Sequence, residues 1–250
     1  MPRSRIYKSE GIIVKQIPLG ESDKIITIIT SKGLKIRAVA KGVRKPKSKL
    51  SGTIDLLNLV SVSVARGRNL DILSEAYALE TFRTIKEDLA STSRALYIAE
   101  LTDIFTVEGA PSENLYNLFF NTLKVLDSGN SNKMWIRNFE LKLLEISGFM
   151  IDFFSCIHCR KPLNPHDHLF SHGGGGVLCP SCRIHSPDQL NKLPFNTLKV
   201  LRYLIREGAK KSCDLSLTNE TRDDLERVLT EHMKFLAEKE IKTLKFMSII

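Results

Sequence analysis

Lys24-Ile-Ile-Thr-Ile-Ile-Thr-Ser-Lys-Gly-Leu-Lys-Ile-Arg-Ala-Val-Ala40 reads as two strands and the turn between them. Its first seven positions are β-branched nearly throughout, which suits a pleated, buried surface and disfavours a helix. Ser31-Lys-Gly33 supplies the turn, and Leu34–Ala40 then starts with the apolar-polar alternation of a half-buried strand. The same signal recurs on either side. Ile12-Ile-Val14 precedes it, Leu59-Val-Ser-Val-Ser-Val64 alternates cleanly, and Arg66-Gly-Arg-Asn69 turns into Leu70-Asp-Ile-Leu-Ser-Glu75. Five short strands before residue 80 predict a small antiparallel barrel, with the five-stranded OB-fold as the natural candidate.

Near residue 83 the period changes to that of helices. Ser91–Val107, Glu113–Leu126 and Lys133–Ser147 each carry an apolar face; Trp135, Phe139, Leu143 and Ile146 make the third. Gly109-Ala-Pro111 and Ser128-Gly-Asn130 separate them, and helical spacing returns at Phe195–Arg206 and Arg222–Lys239. The fold class is therefore α+β: a barrel domain over 1–80, then an α-helical domain over 81–250 with an irregular insertion at 150–187. No internal repeat is visible.

That insertion holds Cys156-x2-Cys159 and Cys179-x2-Cys182. Two thiolates two residues apart bite one ion, and a second such knuckle closes a tetrahedron, the arrangement of a zinc ribbon. Four thiolates fill the shell, so one Zn²⁺ here is expected to hold structure and not to activate water. Five of the six histidines (His158, His166, His168, His172, His185) lie in or beside the insertion. They are expected to be exposed or to support the ligands, with a histidine in place of a cysteine as the open alternative. His232 reads as a core-edge residue of the last helix. Gly173–Gly176 lacks a following Gly-Lys-Ser/Thr, so it suggests a close approach to the second knuckle and not a phosphate loop. Cys213 is left over.

The net charge of +9 is concentrated in the first 80 residues, which hold 15 Lys+Arg and 7 Asp+Glu. Between Ser31 and Ile54 there are eight basic residues and no acidic one. On a barrel strand Lys35 and Arg37 share a face, and Gly42–Gly52 would follow as a mobile cationic loop carrying Arg44, Lys45, Lys47 and Lys49, with Lys41 at its entry. Such a surface neutralises phosphates and binds nucleic acid with strong salt dependence; a merely solvated loop is the plainer reading. The same 80 residues contain only two aromatics, Tyr7 and Tyr77. With few stacking platforms, the domain is expected to grip backbone and leave bases free to pair.

No Walker motif, Gly-x-Ser-x-Gly elbow or His-Glu-x-x-His pair occurs. Asp223-Asp224 after Thr221 reads as helix capping, and Glu21 with Asp23 as a turn between strands. A metal-dependent nuclease is thereby disfavoured. No run of about 18 apolar residues is present to span a membrane, and MPRSRIYKSEG lacks the apolar stretch of a secretory signal.

Taken together, Gly11-Ile-Ile-Val-Lys15, Gly20-Glu-Ser-Asp23, Ala40-Lys-Gly-Val-Arg-Lys45 with Ser48-Lys-Leu-Ser-Gly52, the four-cysteine ribbon, and a last helix bearing Leu225, Leu229, His232 and Leu236 resemble the RecO family of bacterial DNA repair proteins. The resemblance covers nearly the whole chain. It implies a non-catalytic recombination mediator that binds single- and double-stranded DNA and anneals complementary strands. With RecR it would help load RecA on gapped DNA coated with single-strand-binding protein. It implies a cytoplasmic, nucleoid-associated location and a DNA surface at Lys35, Arg37, Lys41, Arg44, Lys45, Lys47 and Lys49. The family's contact with the acidic, Phe-ended tail of single-strand-binding protein falls on the helical part. Lys133, Arg137 and Lys142 beside an apolar groove, with Lys199, Arg202 and Arg206, have the chemistry for it. The competing reading is a zinc-ribbon interaction adaptor or an RNA-binding module.

Overall fold

The computed structural model describes residues 6–185 and 189–247. Strands β1 (Ile6–Leu19), β2 (Asp23–Thr30), β3 (Lys35–Ala40), β4 (Leu59–Ala65) and β5 (Asp71–Glu80) close into a barrel in the order β1-β2-β3-β5-β4. Four ladders are antiparallel, as expected, but β3 and β5 run parallel where Ala38 and Val39 face Asp71 and Ile72. That single parallel contact closes the OB-like barrel. Strand β1 is far longer than its Ile-Ile-Val run suggests. It serves two partners: residues 6–12 pair with β4 and residues 11–19 with β2, across an irregularity between Ile13 and Lys15. An extra residue there bends the strand, which is how one strand turns a barrel corner. The alternating positions Ile13, Ile26, Ile28, Val60, Val62 and Val64 fill the interior.

Helices α1 (Arg83–Glu87), α2 (Leu89–Phe105) and α3 (Glu113–Asp127) follow, then α4 (Met134–Ile146), a small sheet of β6 (His168–Ser171), β7 (Gly176–Leu178) and β8 (Leu190–Leu193), and α5 (Phe195–Ser212), α6 (Asn219–Ala237) and α7 (Lys242–Met247). The ribbon is thus an insertion between α4 and α5. Its expected far limit, residue 187, and the expected chain limits at 1 and 250 lie outside the described residues.

By packing, the chain divides into a first unit of 1–131 with 241–250 and a second of 132–240, whereas the sequence pattern changes at residue 81. Periodicity marks where the element type changes, and packing decides what stays together. Helix α2 is fastened to the barrel by Asp103, whose carboxylate lies 2.9 Å from Lys35 Nζ with both side chains nearly buried. Helix α3 is fastened through its N-cap. Ser112 N donates to Gly33 O, and a Cβ on Gly33 would stand 2.1 Å from the Ser112 backbone. In the same unit Glu100 accepts from the backbone N–H groups of Lys242 and Thr243, satisfying orphan donors of α7.

The second unit packs α4, α5 and α6 around Phe139, Leu143, Leu201 and Leu229. The side chain of Thr218, not Thr221, caps α6 by accepting from Thr221 N. The helix therefore starts earlier than its apolar face does, and Asp224 is taken up by Arg227 at 2.7 Å. The helical signal that fades at Arg206 stops just before a kink in α5 at Gly208, where φ is 74°.

Candidate nucleic-acid interface and metal centre

Residues 41–58 leave the barrel after β3 and return to it before β4. Sequence alone suggests a mobile loop; the structure shows a pinned one. Val43, Ile54 and Leu57 are buried, and Val43 and Ile54 belong to the barrel core. Asp23 Oδ1 accepts from Gly42 N at 2.7 Å, Ser22 O from Arg44 N at 2.9 Å, Lys45 O from Ser48 N at 2.9 Å and Leu50 O from Ile54 N at 3.0 Å. Asn58 Nδ2 donates to Gly52 O and Thr53 O, both at 3.0 Å. Apolar anchors fix the backbone, so Lys41, Arg44, Lys45, Lys47 and Lys49 all face solvent from a defined scaffold.

The strand cations differ. Lys35 is only 12% exposed and bound to Asp103, so it fastens α2 and leaves the exposed set. Arg37 is exposed, 3.9 Å from Glu108. The alternation that places both on one face was legible; that a helix covers part of that face was not.

In the second unit the four cysteine sulfurs lie within 4.8 Å of one another. Cys159 Sγ and Cys179 Sγ are 3.9 Å apart, against about 3.8 Å for the edge of a tetrahedron of thiolates on zinc. No cysteine is disulfide-bonded. Among the described residues no histidine joins this cluster. The first knuckle is held by Cys156 N donating to Lys161 O and Ile157 N to Val177 O, both at 2.9 Å; the second rides on the 3₁₀ turn Pro180–His185. Burial alone would raise the Cys156 thiol, but backbone N–H groups of Cys179, Cys159 and His158 aimed at its sulfur pull it down to about 6. Burial and the neighbouring sulfurs push Cys182 up to about 12. A bound dication would bring every such thiol down to the thiolate that ligation requires. The donor set therefore fits a metal ion, with all four positions filled by protein.

The glycine run serves the first knuckle and not the second. A Cβ on Gly174 or Gly176 would come within 2.6 or 2.4 Å of the Ile157 side chain, so their bareness seats the residue between Cys156 and Cys159. His158 and His185, one from each knuckle, stack with centroids 4.3 Å apart and are exposed, as is His166. His168 is not exposed; its Nε2 lies 2.8 Å from Asn164 O. Cys213 is half-buried in the second unit, and its carbonyl accepts from Asn132.

His232 is buried outright, its Nδ1 3.4 Å from Nδ1 of His172. His172 in turn faces Asn191 from β8 and Glu231 from α6. Burial, then the neighbouring His172, depress His232 to about 4 from an ordinary 6.5. The unfolded chain takes up this proton near pH 6.5 and the folded chain only near pH 4. Between those values the unfolded state holds more protons, so stability is complete above the window and falls as pH falls through it, by about 3 kcal/mol at the acid end. Thermal melts at pH 7 and pH 5 should show a smaller acid loss for His232→Gln than for the parent; equal losses would exclude His232 as the source.

The basic residues of the helices separate into two groups. Arg137 is buried, 3.2 Å from the buried Glu140, and reaches Glu226 O and Thr230 on α6. Beside it Lys133 pairs with Glu226 at 3.3 Å. Arg137 is therefore a core residue and not a surface contact, because its helix position faces α6. Further along α4, a cavity of about 340 Å³ opens among Leu141, Leu144, Met150, Phe153, Leu204 and Ile205, with Lys142, Glu145 and Asp152 also on its lining. Arg202 stacks 5.4 Å from the ring of Phe154, which also lines it, and donates to Phe153 O at 2.8 Å. Arg206 and Lys199 are exposed on the same helix. Helical periodicity placed an apolar face here but gave no sign of the cavity, which needs Met150–Phe154 from the connecting chain.

Two family models match in succession: "Recombination protein O N terminal" over residues 3–82 and "Recombination protein O C terminal" over residues 86–245. The chain is 34% identical over 247 residues to DNA repair protein RecO of Dehalococcoides mccartyi strain CBDB1, covering 98% of this chain and 96% of that protein. It is 34% identical over 243 residues to DNA repair protein RecO of Desulforamulus reducens, covering 97% and 94%. With that of Roseiflexus sp. strain RS-1 it shares 33% over 247 residues, covering 98% and 86%. Among the described residues no helix is long and apolar enough to cross a membrane. The barrel, the helical region with its embedded four-cysteine cluster, and these full-length matches agree, and the chain belongs to the RecO family of DNA repair proteins.

Proposed function

We propose that this protein is a non-catalytic mediator of recombinational repair that grips the phosphate backbones of single- and double-stranded DNA and brings complementary strands together. The observation that carries the reading is the scaffolded array of Lys41, Arg44, Lys45, Lys47 and Lys49 at the barrel. Two phosphate backbones repel, and cations that release condensed counterions offset that repulsion without reading sequence. Tyr7 is engaged by Asp71, and Tyr77 lies outside the array. Bases would thus stay free for a second strand.

Zn²⁺ suits four thiolates better than a hard cation does, so one structural zinc ion is the reading for the cysteine cluster. The α4–α5 cavity has an apolar floor with Lys142 on its lining and Arg202 against Phe153 and Phe154 at its wall, and it is the candidate seat for the acidic, Phe-ended tail of single-strand-binding protein. Lys199 and Arg206 are exposed elsewhere on α5, and Glu145 and Asp152 also line the cavity, so the tail's acidic residues would have to lie toward the cations. RecR, and RecA indirectly, complete the partners, in the cytoplasm at the nucleoid.

The test is annealing of two complementary oligonucleotides coated with single-strand-binding protein, without ATP. Acceleration of roughly tenfold or more at low salt, fading as salt rises, is the expected result. No acceleration by folded, zinc-loaded protein would transfer the function to an adaptor or RNA-binding role.

A further inference from the structure

Asp23 is a carboxylate set beside cations proposed to meet DNA. A negative charge there repels phosphate, so counting charges alone predicts that the protein would bind better without it. The geometry gives it another role. Its Oδ1 accepts from Gly42 N at 2.7 Å and from Ser22 Oγ at 2.9 Å. Gly42 has φ 64° and is the point at which the chain turns from β3 into the cationic segment. Gly42 O then accepts from Lys45 N at 3.1 Å, Ser22 O from Arg44 N at 2.9 Å, and Gly20 O from Arg44 Nη1 at 2.9 Å. The β1–β2 turn is thereby laced to Lys41–Lys45, with Asp23 making the first tie.

We infer that Asp23 is a positioning residue for DNA binding, holding the entry of the cationic segment in its gripping shape while touching no phosphate itself. The inference rests on the DNA-binding reading above. The hydrogen bonds from Gly42 and Ser22 hold the Asp23 carboxyl below the usual range, with Lys41 and Lys45 adding to them, so it is ionised whenever the protein works. Its charge-assisted bond to Gly42 is stronger than a neutral acceptor would make.

The experiment is a double-mutant cycle read by affinity for single-stranded oligo(dT) and by its salt slope. Asp23→Ala raises the net charge, yet should weaken binding roughly tenfold at 0.15 M salt and flatten the slope by about one contact. Asp23→Asn, which keeps size and an acceptor but not charge, should fall between it and the parent; it also serves if Asp23→Ala folds poorly. In a background where Arg44, Lys45, Lys47 and Lys49 are alanine, Asp23→Ala should cost nothing further, because its effect passes through those residues. A merely structural role would lower affinity equally in both backgrounds, and that result overturns the inference. So does tighter binding by Asp23→Ala or Asp23→Asn, which is the outcome of charge counting. If the fourfold alanine protein binds like the parent, the proposed interface itself falls and the inference with it. A loss there alongside a gain in Asp23→Ala removes the inference alone.

Discussion

Replacing Arg44, Lys45, Lys47 and Lys49 together by alanine should lower affinity for DNA by about 100-fold at 0.15 M salt and reduce the salt slope by about three to four. All four side chains are exposed on backbone that is already fixed by Val43, Ile54 and the turn bonds. Little folding energy depends on them, since exposed substitutions away from caps and cores usually fall within about 0.5 kcal/mol. The loss should therefore appear in binding and annealing with the melting temperature nearly unchanged. It should also be the same for oligonucleotides of unrelated sequence, because phosphate contacts position but do not specify. Fluorescence titration of several sequences over a range of salt provides the check. A loss confined to one sequence would point to base contacts that this account lacks.

The second large effect concerns the four-cysteine cluster and the zinc ion proposed for it. Cys156→Ser should abolish stoichiometric zinc and lower the melting temperature of the second unit by about 10 °C or more, because binding to such sites is coupled to folding. Cys156 is fully buried, and the knuckle it begins seats Ile157 against Gly174 and Gly176. Without a metal, thiolates at these separations would repel one another, and neutral thiols would make only weak contacts between the two knuckles. DNA binding by the first unit should change less than about threefold, since the cationic segment lies in the other compact unit. Zinc analysis with a thermal melt decides it: full zinc content and an unaltered melt would place the ligands elsewhere.

Much of this was legible in the sequence, and the limits have physical causes. Local alternation and β-branching announced the barrel strands, because side-chain period is a property of the chain itself. The long β1, with its two partners, was not announced, since a bend that changes partner leaves no period. Cysteine spacing disclosed the four-cysteine cluster for a similar reason: a knuckle is local. What failed were statements about where a charged side chain goes once distant elements meet. Lys35 and Arg37 share a strand face in both readings, yet Asp103, 68 residues on, claims Lys35. Arg137 looked like a rim residue until Glu140 and α6 enclosed it. Asp23 showed as a turn residue, and only the fold reveals that its partner is Gly42.

The return of the chain to its first unit has a consequence for how the protein is made. Helix α7 belongs with the barrel and α2, yet the ribosome reaches it only after all of 132–240 has been synthesised. The barrel strands and α1–α3 can collapse early, but Glu100 waits for Lys242 and Thr243 to close the first unit. The unit that carries the cationic segment is thus begun before the second unit and completed after it, and a nascent chain stalled within the ribbon would carry exposed cations on a body not yet sealed.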